Sequence, residues 1–135
     1  MPQLTAAGSF DVSMTPLTLD QPGDDSARGR MLLSKRFHGG LDAVGAGEML
    51  TGMGAVSGSA AYVAIERISG RLDGRSGSFL VVHRGVMTRG APDLAVSIVP
   101  DSGTGELTGI AGAMTLIVGG GKHDCRIDCT LPDAA

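Results

Sequence analysis

Tryptophan is absent from this 135-residue sequence, tyrosine occurs once and phenylalanine three times. The core must therefore be built from Val, Ile, Leu, Met and Ala. Charge of one sign is scarce as well: 11 Lys and Arg stand against 14 Asp and Glu, a net charge of -3. No basic cluster interleaved with aromatics is present, which argues against a nucleic-acid partner, because phosphate binding needs grouped Lys and Arg. No apolar run approaches the length of a membrane-spanning helix. Residues 1–7 have neither a basic end nor an apolar core, so no signal peptide is expected there. No membrane partner is expected, and a cytoplasmic location is.

Cysteine is nearly missing too, with Cys125 and Cys129 alone. In an extended strand they lie roughly 13 Å apart, beyond the reach of a disulfide. Together with His123 they fall short of a zinc set. They are read as reduced core residues, and neither a metal nor a cofactor is expected. A helical pattern of period 3.6 is also missing; only residues 101–110 have room for a helical turn.

What the sequence has is glycine, 22 residues of it, punctuating short runs of two-residue alternation. Residues 77–83 and 94–99 are β-type runs bounded by Asp73-Gly74, Arg89-Gly90-Ala91-Pro92 and Pro100-Asp101-Ser102-Gly103. Strands are expected over about residues 5–14, 28–38, 41–52, 58–71, 77–83, 94–99, 111–118 and 122–131. Glycine inside strands permits the bends that barrel corners require. The length suits one domain over 1–135, and the pattern predicts one closed or sandwiched antiparallel sheet. Residues 20–25 read as an exposed connection and Gly119-Gly120-Gly121 as a turn.

Two dipeptides predict registers. Gly39-Gly40 as a two-residue hairpin turn sets Phe37 against Asp42 and Met31 against Glu48. That puts Lys35 and Glu48 on one inward face, as an ion pair or as polar lining. Asp73-Gly74 as a type I′ turn sets Ala64 against His83 and Glu66 against Val81. Tyr62, Glu66 and His83 then share a face, with Glu66 diagonal to His83. A carboxylate beside an imidazole suits proton transfer, and a tyrosine hydroxyl can orient a ligand oxygen. The same group also reads as a buried polar cluster that fixes register. Glu48 joins it only if the turn between the third and fourth strands has the right parity. His38 and His123 are expected on the surface. The outward face, with Val63, Ile65, Leu80 and Val82, is apolar enough to predict a second copy against it, a homodimer.

Several segments taken together resemble a known family. They are Arg30-Met31 with Phe37-His38-Gly39, Gly47-Glu48-Met49-Leu50, the stretch Gly58-Ser59-Ala60-Ala61-Tyr62-Val63-Ala64-Ile65-Glu66-Arg67, Gly74-Arg75-Ser76-Gly77-Ser78-Phe79, Arg89-Gly90-Ala91-Pro92, and Val99-Pro100-Asp101-Ser102-Gly103-Thr104-Gly105-Glu106-Leu107. The resemblance is to a family of small bacterial proteins known as domain of unknown function 3224. It covers nearly the whole chain and implies an eight-stranded antiparallel barrel similar in fold to allene oxide cyclase, with no established activity. The resemblance also implies aromatics near Cys125 and Cys129; the smaller residues here imply a roomier interior or compensation elsewhere.

The expectation is an all-β, eight-stranded antiparallel barrel that binds a small, largely apolar molecule in its interior. Tyr62, Glu66, His83, Glu48 and Lys35 are the candidate ligand-binding residues. Two alternatives stand beside it: an isomerase or cyclase using Glu66 and His83, and an interaction module whose barrel is filled by side chains.

Overall fold

Period-two alternation produces eight strands: β1 (Gln3–Leu17), β2 (Arg28–Gly39), β3 (Leu41–Met53), β4 (Ala60–Leu72), β5 (Arg75–Thr88), β6 (Ala91–Ile98), β7 (Ala111–Gly119) and β8 (Lys122–Thr130). The structure, a computed structural model, describes residues 3–19, 27–119 and 121–132. Each strand pairs antiparallel with its neighbour in sequence, and β8 returns to β1, closing the barrel. The connection expected over residues 20–25, and Gly120 of the expected glycine turn, lie outside the described residues.

Closure is uneven. β1 and β8 pair over seven positions, from Gln3↔Thr130 to Ser9↔Asp124. β6 and β7 pair at two, Val96↔Met114 and Ser97↔Ala113. Beyond those rungs the inward-parity residues stand in the open: Leu94 is 50% exposed and Val118 is 65% exposed.

One end of the barrel is packed solid. Phe37, Leu41, Ile68, Leu72, Phe79 and Ile127 fill it. The segment expected to hold a helical turn does so, as a short 3₁₀ turn over Gly105–Leu107. It lies across this end, burying Leu107 and Ile110, and it is tied to β5 by the Thr104 amide donating to the Ser78 carbonyl at 2.8 Å. Among the described residues, no helix is long and apolar enough to cross a membrane.

Asp73 and Gly74 both have positive φ, 49° and 80°, the type I′ geometry that suits the strand twist. The turn fixes β4 against β5 with Ala64 opposite His83 and Glu66 opposite Val81.

Gly39-Gly40 behaves differently, and the expected register there is corrected. Phe37 pairs with Ala43 and Met31 with Met49, one residue away from the two-residue turn. Gly39 is still part of the ladder, paired with Gly8 of β1, while the Gly40 amide donates to the Ala7 carbonyl at 3.0 Å and its carbonyl accepts from the Asp73 amide at 2.8 Å. The two glycines pack this corner onto neighbouring chain segments instead of forming a free reverse turn. A side chain at Gly39 would stand 3.0 Å from the Ala7 carbonyl oxygen. The one-residue slip exchanges the two faces of β3: Leu41 and Ala43 are buried inside, and Val44, Ala46, Glu48 and Leu50 point outward.

Candidate functional site

Glu66 is 0% exposed in the middle of β4. A carboxylate removed from water must be paired and hydrogen-bonded, and Glu66 takes two partners on one oxygen. Its Oε1 accepts from Lys35 Nζ at 3.1 Å and lies 2.7 Å from His83 Nε2. His83 reaches it across the small Ala64, its direct partner in the ladder. Lys35 is on β2, two strands away.

Two glycines of β3 make that span possible. Gly45 is the ladder partner of Lys35, and Gly47 is the partner of Glu66. A Cβ on Gly45 would overlap Glu66 Oε2, and one on Gly47 would crowd the Glu66 backbone. The bare backbone lets the Glu66 side chain lie across β3 and meet Lys35 on the far side. The same cradle leaves Oε2 buried with no hydrogen-bond partner among the described residues.

Burial pushes the Glu66 carboxyl upward, but the hydrogen bond from His83 and the charges of Lys35 and His83 outweigh it and hold it below the ordinary carboxylate value. Glu66 is therefore ionised, and an ionised carboxylate only accepts. His83 Nε2 must donate to it, which leaves the other ring nitrogen, Nδ1, for whatever lies beyond. The Lys35 ammonium also lies over two aromatic faces, 5.3 Å from the Phe10 ring centre and 5.9 Å from that of Phe37. These contacts steady a desolvated cation.

Above this cluster the barrel is hollow. A cavity of about 250 Å³ is lined by apolar side chains including Val12, Leu33, Met49 and Leu116, and by Lys35, Tyr62, His83 and His123. Exposed Met14 and Val118 also line it, so it opens at the rim opposite the packed end. Tyr62 lies against Gly85, its ladder partner, where any Cβ would clash with the ring; burial pushes its phenol upward. Glu66 is not in the wall. It sits behind Lys35 and His83.

Of the candidates from the sequence, Lys35, Glu66, His83 and Tyr62 face the interior, and the first three are in contact. Glu48 is corrected. It pairs with Ile65 on the outer face and forms a surface ion pair with Arg30 at 3.0 Å. The inward Lys35–Glu48 pair does not exist, because the slip at Gly39-Gly40 turned Glu48 out; Lys35 takes Glu66 in its place.

His123 is corrected in the other direction. It is half-buried, lines the cavity and packs on Phe10 with ring centres 5.2 Å apart. The signal was in the sequence: His123 has the same parity as Cys125, Ile127 and Cys129, all buried. His38 is exposed, 3.1 Å from Asp11. Cys125 and Cys129 are buried and free, and burial pushes both thiols upward. Among the described residues, no three His, Cys, Asp or Glu side chains gather to hold a metal ion.

A family model described as "Protein of unknown function (DUF3224)" matches residues 6–129. The chain is also similar to a crystal structure of a protein with unknown function from the DUF3224 family of Shewanella oneidensis MR-1. The two are 43% identical with a TM-score of 0.90, and the match covers 98% of this chain and 100% of that one. No curated protein matches the chain.

Proposed function

For this chain, which belongs to the DUF3224 family of proteins of unknown function, we propose the role of a small-molecule-binding barrel. The observation that carries it is the rim cavity of about 250 Å³, apolar in its walls and polar at one depth. Binding pockets combine apolar lining with a few convergent polar groups in this way. The volume admits a small ligand: an apolar cavity of about 150 Å³ accepts benzene. Lys35, Tyr62 and His83, with His123 at the rim, meet the ligand; Glu66 acts through Lys35 and His83 by fixing their positions.

The test is native mass spectrometry of freshly purified protein. A retained small molecule, lost in the cavity-filling variant Val12→Trp, supports the reading. Each protein at the mass of its own bare chain, with no uptake of a small apolar probe by either, would overturn it.

A second reading is favoured by one observation, the bond of 2.7 Å from His83 to Glu66. An imidazole in a cavity wall, oriented from behind by a carboxylate, is the arrangement of a general base and its orienting partner. In that reading His83 moves the proton, and the reaction is an isomerisation or cyclisation. A barrel of the allene oxide cyclase type, a dimer made through the outer face of β4 and β5, and a cytoplasmic location complete the proposal. The dimer rests on that face being apolar yet bare, with Val63 50% exposed and Ile65 51% exposed.

A further inference from the structure

We propose that the molecule taken by the cavity is an apolar monocarboxylic acid, bound together with one proton, its carboxyl group held between Lys35 Nζ and His83 Nδ1. The proposal rests on the cavity-binding reading and names the ligand class. Three observations carry it.

The first is the pairing of polar atoms. Lys35 has three N–H donors and spends one on Glu66. His83 spends Nε2 on the same oxygen and makes no other hydrogen bond among the described residues. Because both heads converge on one atom of Glu66, they sit side by side in the cavity wall. The wall therefore holds an ammonium with donors to spare and an imidazole whose Nδ1 makes no hydrogen bond among the described residues. A carboxyl group matches that pair: its carbonyl oxygen accepts from Lys35, and its second oxygen shares a proton with Nδ1.

The second is the charge balance. Lys35 is already matched by Glu66. While the His83 ring carries no charge, a bare carboxylate added beside these two buried side chains would leave an uncompensated negative charge, which is expensive. An acid that is ionised in water must therefore bring a proton, taken up by the pair it forms with His83. The groups facing His83 are Glu66 and Tyr62 from β4, Lys35 from β2 and His123 from β8; β1, β3, β6 and β7 contribute apolar Val12, Met49, Val96 and Leu116.

The third is the remaining wall. Glu66 Oε2, the one unused carboxylate oxygen, is shut behind Gly45, so no anionic acceptor repels the ligand directly. The apolar walls suit a ring with a short arm.

The experiment is titration calorimetry with 3-phenylpropionic acid, its primary amide and its methyl ester, in two buffers of different ionisation enthalpy. The acid is expected to bind about tenfold or more tightly than the ester, with uptake of about one proton, and therefore to weaken as pH rises. His83→Gln, which keeps a donor for Glu66 but removes the ring nitrogen that would share the proton, should abolish the proton uptake that accompanies acid binding. Acid binding no tighter than ester or amide, or without proton uptake, would overturn the proposal and leave the cavity-binding reading standing. If none of the three binds, this proposal falls, and native mass spectrometry alone decides the other.

Discussion

Glu66→Ala removes the one anion that Lys35 and His83 share, and its cost follows from the geometry. Breaking a buried ion pair by deleting one partner costs about 3–5 kcal/mol, because the other charge is left behind. Here the stranded ammonium borders a cavity open at the rim, so water can reach it, and the lower end applies, about 3 kcal/mol. At this chain length that lowers the unfolding midpoint by roughly 10 °C. Glu66→Gln keeps an acceptor and should cost less. The decisive assay is a urea-unfolding cycle with Lys35→Met, which keeps the apolar stem and removes the charge. The double variant Glu66→Ala/Lys35→Met should be more stable than the sum of the single losses by about 2 kcal/mol. Additivity within about 0.5 kcal/mol would refute the coupling and with it the account of the site.

The pH dependence has a definite sign. The folded carboxyl of Glu66 lies below its ordinary value of 4.5, so the unfolded chain binds more protons between those two values. Its contribution is present above about pH 4.5 and is lost as pH falls through the folded value; wild-type stability should fall there more steeply than that of Glu66→Gln, measured by urea midpoints. Glu48→Ala should change stability by less than about 0.5–1 kcal/mol, since it breaks only a surface pair; a loss comparable to that of Glu66→Ala would contradict its outward placement. Thiol titration should find two free thiols after denaturation and few before; fast, complete reaction of the folded protein would contradict the burial of Cys125 and Cys129. Light scattering at micromolar concentration should give a dimer that Val63→Asp dissociates, and a monomeric wild-type mass would remove the outer-face dimer.

The site was legible where a turn has a single solution. Asp-Gly at 73–74 admits one loop geometry, so the facing of Glu66 and His83 could be read from four residues. Gly-Gly at 39–40 carries no such restriction. It is equally the signature of a corner pressed against another strand, and which it is depends on β1, far away in sequence. That ambiguity displaced Glu48 and hid the partnership of Lys35 with Glu66, which crosses β3 over two glycines whose role is visible only in three dimensions. His123 needed no structure; the alternation through Cys125 and Ile127 already placed it inside. The cavity itself could not be read, because it depends on the volume left over after the lower half of the barrel is filled.

The short seam between β6 and β7 has a consequence in time. Opening a strand pair requires breaking its rungs together, and this pair has two where β4 and β5 are joined along thirteen positions from Ala60↔Met87 to Leu72↔Arg75. Local opening of a fold begins where the fewest interactions must be given up. The barrel should therefore open first at this seam, beside which Val118 is exposed and lines the cavity. A molecule wider than the rim can enter while β6 and β7 stand apart, without disturbing the ladder that holds Glu66 to His83. Residence of a ligand would then be set by the lifetime of the closed seam, and amide exchange at Val96 and Met114 would slow when the cavity is filled.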